Sequence, residues 1–346
     1  MPSITEQEIS APIQPMAPAQ VLINRPGRPM LAREADSMYW VSRYIERAVH
    51  VARLLLVNAN LLIDVGDLAP KMQNRLWQNI LTIVRLPDME EEEDKPIASR
   101  LQHYLTFDAK NPNSLLACVS RARENARGIR ESISSEMWES LNTLYWSVRS
   151  EDAAAKFEES PDGFWRSVIN GSMLFQGLTD QTLTHDQRWH FTQLAKHFER
   201  ADVTCRVIET KHYILAASEA MAESTIRNIN WMAVLRSCCS IEAYRRQHLG
   251  DMDQLKVAAF LLLEKNFTRT VRFSIHAACG AISQIRAAAN LGVVDEAERI
   301  LGRLDAQLEY AELSEILEVG LPAYLERIQT ALADAALAVQ KAYFLH

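Results

Sequence analysis

From Met30 onward, apolar side chains recur along this chain at helical spacing. Met38, Ser42, Ile45, Val49, Ala52, Leu56, Ala59 and Ile63 step by four and three, which predicts one long amphipathic helix with a bundle-type seam. Gly66 and Pro70 mark its end. A second helix is expected over about residues 71–86, stopped by Pro87, with others over about 97–107, 113–133, 135–149 and 162–178. Asn111-Pro112-Asn113-Ser114 supplies the cap of the helix at 113–133. The pattern restarts near Thr182, where Phe191, Ala195, Phe198, Ala201, Cys205 and Ile208 point toward a core in a helix ending near Ser218. Helices follow near 225–249, 251–264 and 268–290, then an alanine-rich hairpin over about 293–317 and 321–344, split at Gly320 and Pro322. No strand-like alternation persists. The expected fold class is all-α, a single large helical bundle.

The pattern also repeats. Arg43-Tyr44-Ile45-Glu46-Arg47-Ala48, with Arg53 beyond it, returns 153 positions later as Lys196-His197-Phe198-Glu199-Arg200-Ala201, with Arg206 at the matching place. Trp77-Gln78-Asn79-Ile80-Leu81 is followed at an offset of 154 by Trp231-Met232-Ala233-Val234-Leu235, and Ser114-Leu115 at 156 by Thr270-Val271. Their common order and slowly drifting offset predict two pseudo-repeated halves, about 30–180 and 181–346, packed as one domain.

Composition narrows the function classes. Hydrophobic residues make up 48% of the 346, enough for a substantial core, and most of the 12 prolines precede residue 100. Residues 1–29 read as a disordered Pro-rich arm, with Pro2, Pro12, Pro15, Pro18, Pro26 and Pro29 among Ala, Gln and Ser. The formal net charge of −7 argues against nucleic acid as a partner. No run of 18 apolar residues and no secretory signal occurs, so no membrane association is expected and the cytoplasm is the default. Cys118, Cys205, Cys238, Cys239 and Cys279 form no CxxC pair and fit no closed disulfide framework; buried reduced thiols are expected. The seven tryptophans are expected mostly in the core or at helix junctions, and the acidic run Glu90–Asp94 in a solvated loop.

The repeated Glu-Arg step carries the candidate chemistry. Adjacent helical residues point about 100° apart, so Glu46 and Arg47 cannot satisfy each other. Glu46 has Arg43 and His50 at helical spacing, and Glu199 has Lys196, but neither Arg47 nor Arg200 has a carboxylate within its own helix. Their counter-ions must come from another helix or from a ligand. A third charged stretch carries Arg121, Arg123, Glu124, Arg127, Arg130 and Glu131. Two arrangements follow: a structural network pairing Arg47 and Arg200 with Glu124, Glu199 or Glu46, or a cationic pocket holding a phosphate or carboxylate beside a carboxylate base.

At these residues the chain resembles the bacterial alpha-E domain family. Met30-Leu31-Ala32-Arg33, Ala35-Asp36-Ser37-Met38-Tyr39-Trp40 and Arg43–Ala48 look like its opening. Asn111–Ser114, Arg123-Glu124-Asn125-Ala126-Arg127, Glu136-Met137-Trp138 and His197–Asp202 extend the likeness over about residues 30–343. The resemblance implies a partner, since alpha-E proteins are typically encoded beside or fused to circularly permuted ATP-grasp proteins. It further implies a component of an ATP-dependent amide-bond-forming or peptide- or protein-modifying system, with a peptide or protein substrate. ATP and Mg would enter only through that partner, and no cofactor bound by this chain is expected. If the chain is catalytic, it is an amide-forming ligase or transferase subunit. Glu46, Glu199 and Glu124 would then orient an amine or take its proton, while Arg47, Arg200, Arg43, Arg53, Arg123, Arg127 and Arg206 would hold an anion. Glu46, Arg47, Glu124, Glu199 and Arg200 are expected to converge near a pseudo-twofold axis. Two rivals stand beside this: a non-catalytic scaffold or regulator of the ligase, and a metal-binding bundle using Glu209 and His212.

Overall fold

A computed structural model describes residues 30–65, 70–90, 96–216, 224–248, 252–289 and 295–344, so the arm at 1–29 and most of the acidic run fall outside the described residues. Among the described residues the fold is all-α, with no strand. The first half holds α1 (Ala32–Val65), α2 (Pro70–Ile83), α3 (Ile97–Phe107), α4 (Leu115–Gly128), α5 (Ser135–Arg149), α6 (Ala153–Glu159) and α7 (Pro161–Thr182). The second holds α8 (Gln187–Ala216), α9 (Ser224–Ser237), α10 (Ile241–His248), α11 (Gln254–Leu263), α12 (Val271–Ala288), α13 (Glu296–Glu309), α14 (Leu313–Val319) and α15 (Leu321–Val339), closed by a π-helical turn to Phe344.

The long helices α1 and α8 form the spine. They pack along each other, α1 also against α4 and α7, and α8 against α12 and α15. Crosswise contacts tie the halves together, α2 touching α8 and α9 touching α1. The seam of α1 is buried from Met38 to Leu56, as are all six core positions expected on α8. Ile63 is the correction: the stripe runs past the packed region, and its side chain stands 78% exposed. Trp77, Trp165 and Trp231 are fully buried, whereas Trp146 lies at the surface.

Local signals recur in the two halves. Ser114 caps α4 by accepting the Ala117 amide and donates to the Asp108 carbonyl; Thr270 caps α12 through the Phe273 amide and donates to the Glu264 carbonyl. Helices α2 and α9 end on Arg85 (φ 57) and Cys239 (φ 55), non-glycine residues in the left-handed region. In each the chain turns back with the same bonds, Leu86 to the Leu81 carbonyl and Ser240 to Leu235, both 2.8 Å. The turn at Cys239 divides the expected helix at 225–249 into α9 and α10. Another break, near Tyr310, divides 293–317 into α13 and α14.

Candidate functional site

In α1 and α8 the glutamate and arginine of each Glu-Arg step turn to different neighbours, as the helical rotation requires. Glu46 is wholly buried. Arg200 donates to it twice, Nε to Oε1 at 2.8 Å and Nη2 to Oε2 at 3.2 Å, and Arg269 donates Nη1 to Oε1 at 3.1 Å. Gln176 of α7 donates to Oε2 at 2.6 Å and accepts from Arg200 at 3.2 Å, while His50 Nε2 lies 3.2 Å from Oε1. Glu199, equally buried, is held by Arg47, Nε to Oε1 at 2.7 Å and Nη2 to Oε2 at 3.0 Å, with Arg43 Nε 2.7 Å from Oε2. Each half's glutamate is therefore clamped by the other half's arginine.

Electrostatics fix both carboxylates in the charged form. Burial alone would raise the Glu46 carboxyl, but Arg200 and Arg269 outweigh it and hold it well below its ordinary value. The same holds for Glu199, where Arg47 and Arg43 overcome desolvation. Burial lowers His50 and, more strongly, His197, so both imidazoles are neutral at pH 7. As they stand, Glu46 and Glu199 are fixed counter-ions.

The two centres differ in closure. Arg269 and Gln176 complete a ring of donors around the wholly buried Glu46. At the place beside Glu199 that corresponds to Arg269 stands Asn113, which is shorter. It accepts from Arg47 Nη1 at 3.3 Å and donates to the Val84 carbonyl at 2.8 Å. A cleft of about 190 Å³ opens there, lined by Arg43, Arg47, Arg85 and Arg206 against only two carboxylates, Glu199 and Asp202. Asp202 is shared by Arg206 at 2.8 Å and Arg85 at 3.1 Å, and Arg206 also donates to the Ile83 carbonyl. The surplus of guanidinium groups suits an anion.

A family model described as Alpha-E, "a predicted alpha-helical domain with a conserved ER motif", matches residues 30–344. The chain belongs to the Alpha-E family. Glu46-Arg47 and Glu199-Arg200 are Glu-Arg steps of the kind that description names. Similar curated relatives are uncharacterised proteins of Mycobacterium bovis and of two strains of Mycobacterium tuberculosis. Each is 22% identical over 331 residues, covering 88% of this chain and 36% of the relative. The chain thus spans about a third of the length of the curated relatives it matches. No solved structure matches.

Not every candidate joins the Alpha-E centres. Glu124 stands 54% exposed on α4, paired with Arg123 at 3.0 Å and Arg127 at 3.2 Å. The expected convergence therefore covers Glu46, Arg47, Glu199 and Arg200 and leaves Glu124 out. Arg123 turns to α5, bonding Asn142 at 2.7 Å and lying 4.6 Å from the Tyr145 ring centre. Glu209 accepts from Gln329 at 2.9 Å; the His212 side chain lies outside those described. Among the described residues no group of three or more His, Cys, Asp or Glu gathers as a metal set, and no helix is long and apolar enough to cross a membrane. Cys118, Cys205 and Cys238 are buried thiols, while Cys239 and Cys279 are half-buried.

Contributors to the Alpha-E centres outside the sequence-level candidates include Arg269, Gln176, Asn113, Arg85 and Asp202. Asn113 and Arg269 were within reach, since each precedes one of the matched helix caps Ser114 and Thr270. Gln176 carries no comparable signal.

Proposed function

We propose that this Alpha-E chain is an internally duplicated helical unit that holds an anionic group in the Glu199 cleft. It does so as a component of an ATP-dependent amide-bond-forming or peptide- or protein-modifying system, beside an ATP-grasp ligase. The observation that carries the binding role is the open cleft with four guanidinium groups against two carboxylates. Because the matched region fills 36% of each mycobacterial relative, a unit that works next to further domains is favoured. The ligase assignment rests on the resemblance. ATP-grasp partners make acyl phosphates, and such an intermediate carries the anion that Arg43, Arg47, Arg85 and Arg206 would receive. Glu199 then keeps two of those arginines in place, and ATP and Mg belong to the partner.

A second reading, a scaffold that docks and regulates the ligase, is favoured by the Glu46 centre, where Glu46, Arg200 and Arg269 are buried and paired with one another. One experiment separates the two. The chain is co-expressed with an ATP-grasp protein of the same genome, and association and ATP turnover are measured for wild type, Arg85→Gln and Arg47→Met. Turnover lost in both folded variants while association persists supports anion handling. Wild-type turnover in both points to the scaffold, and neither association nor any effect on turnover overturns both readings.

A further inference from the structure

Arg53 occupies in α1 the place that Arg206 occupies in α8, 153 positions on, but its company differs. Arg206 has Asp202 one turn before it and donates to that carboxylate at 2.8 Å. One turn before Arg53 stands Val49, so the matching anion is missing. Among the described residues Arg53 has no ion pair, and its Nε is buried without a hydrogen-bond partner. Leaving a guanidinium desolvated and unpaired is costly, and burial lowers the pKa of this one. Arg53 lines an open cleft of about 520 Å³ together with Arg166 from α7 and Arg236 from α9, where Glu242 is the one carboxylate among the described lining residues. Arg269 fills the space beside Glu46, and the cleft opens farther along α1, at Arg53, Leu56, Val57 and Asn60. Cys239, in its left-handed turn, forms part of the cleft wall.

We infer that Arg53, Arg166 and Arg236 form a second oxyanion site, taking a phosphate-bearing or carboxylate group beside the closed Glu46 centre. The site shares no lining residue with the Glu199 cleft and stands or falls separately from it. Cys239 supplies a reporter, and Cys279, also half-buried but outside the cleft, supplies the control.

The test is alkylation of the full chain by iodoacetamide, read at each cysteine by peptide mass spectrometry, with inorganic phosphate added at constant ionic strength. At phosphate ten times its dissociation constant, occupancy should slow labelling of Cys239 about tenfold and leave Cys279 unchanged. Protection should disappear in Arg53→Gln, weaken in Arg166→Gln, and persist in Arg47→Met. Arg166 lies on an exposed face of α7, so that variant reports on the site even where Arg53→Gln fails to fold. Acetate in place of phosphate identifies the class: protection by both marks a site open to carboxylates, by phosphate alone a phosphate site. Unprotected Cys239 in the wild type, protection unaltered in Arg166→Gln and Arg53→Gln, or protection lost in Arg47→Met would each overturn the inference.

Discussion

Asn113 and Arg269 stand at matching places, each one residue before a helix cap, yet only Arg269 reaches a carboxylate. The difference in length decides which Glu-Arg centre is sealed. Arg269 bonds Glu46 at 3.1 Å and fills the space beside it, whereas Asn113 stops at Arg47 and leaves the cleft of about 190 Å³.

Exchanging these two side chains should exchange the two environments. Arg269→Asn removes one of two guanidinium partners of Glu46 and should destabilise the fold by about 1–3 kcal/mol, since Arg200 remains. A crystal structure of that variant should show space beside Glu46. Asn113→Arg should fill the Glu199 cleft and remove that cleft's share of the phosphate binding measured by calorimetry, leaving binding at the Arg53 site. Phosphate stoichiometry and affinity both unchanged in Asn113→Arg would show that the Glu199 cleft holds no anion.

Removing a glutamate should cost more than removing one of its arginines. Glu46→Gln orphans Arg200 and Arg269 together, and Glu199→Gln orphans Arg43 and Arg47. Each should lose about 3–5 kcal/mol, because a buried charge is left without its partner. Arg200→Met and Arg47→Met leave each carboxylate one guanidinium and should be milder. Denaturant midpoints with unchanged slopes check the ranking. Equal losses in all four variants would mean that the clamps do not act as shared networks.

Acid should erase the contribution of both carboxylates. Their folded pKa values lie below the ordinary 4.5, so the unfolded chain binds more protons as the pH falls beneath that value. The stability they supply is complete above about pH 4.5 and declines as pH falls toward their folded pKa values. The gap in stability between wild type and Glu199→Gln should therefore be widest near neutral pH and narrow steadily below 4.5. A gap constant from pH 7 to pH 3 would contradict the charge-clamp account.

The helical fold and its spine were legible because core positions on α1 and α8 keep strict helical spacing, and Gly and Pro punctuate the ends. The interhelical nature of Arg47 and Arg200 was legible too, since neither finds a carboxylate in its own helix. Which helix answers them was not: local spacing cannot show that α1 and α8 lie side by side, so Glu124 looked as good a partner as Glu199. The division at Cys239 escaped for a different reason. A left-handed cap on a non-glycine residue costs about 1 kcal/mol and leaves no compositional mark, so the helix seemed to continue.

Lys196, the counterpart of Arg43, offers a last test because its side chain is largely shielded and its ion pair is long. Its Nζ lies 4.0 Å from Asp180, its side chain is only 12% exposed, and it lines a small apolar cavity with Met38, Ile45 and Phe175. Burial, reinforced by Arg200, pushes its pKa down from 10.5 to about 8. Between those values the unfolded chain binds the proton and the folded chain does not, so this group makes stability rise with pH from about 8 to 10.5. Below 8 the fold carries the full cost of a buried ammonium. Lys196→Met removes that cost, so the variant should be favoured over wild type most at pH 7. Its relative advantage should shrink, by about 3 kcal/mol at most, as the pH approaches 10.5. Parallel denaturant titrations at pH 7 and pH 10 measure the change directly. A difference independent of pH would show that Lys196 is solvated and that its amine titrates as in the unfolded chain.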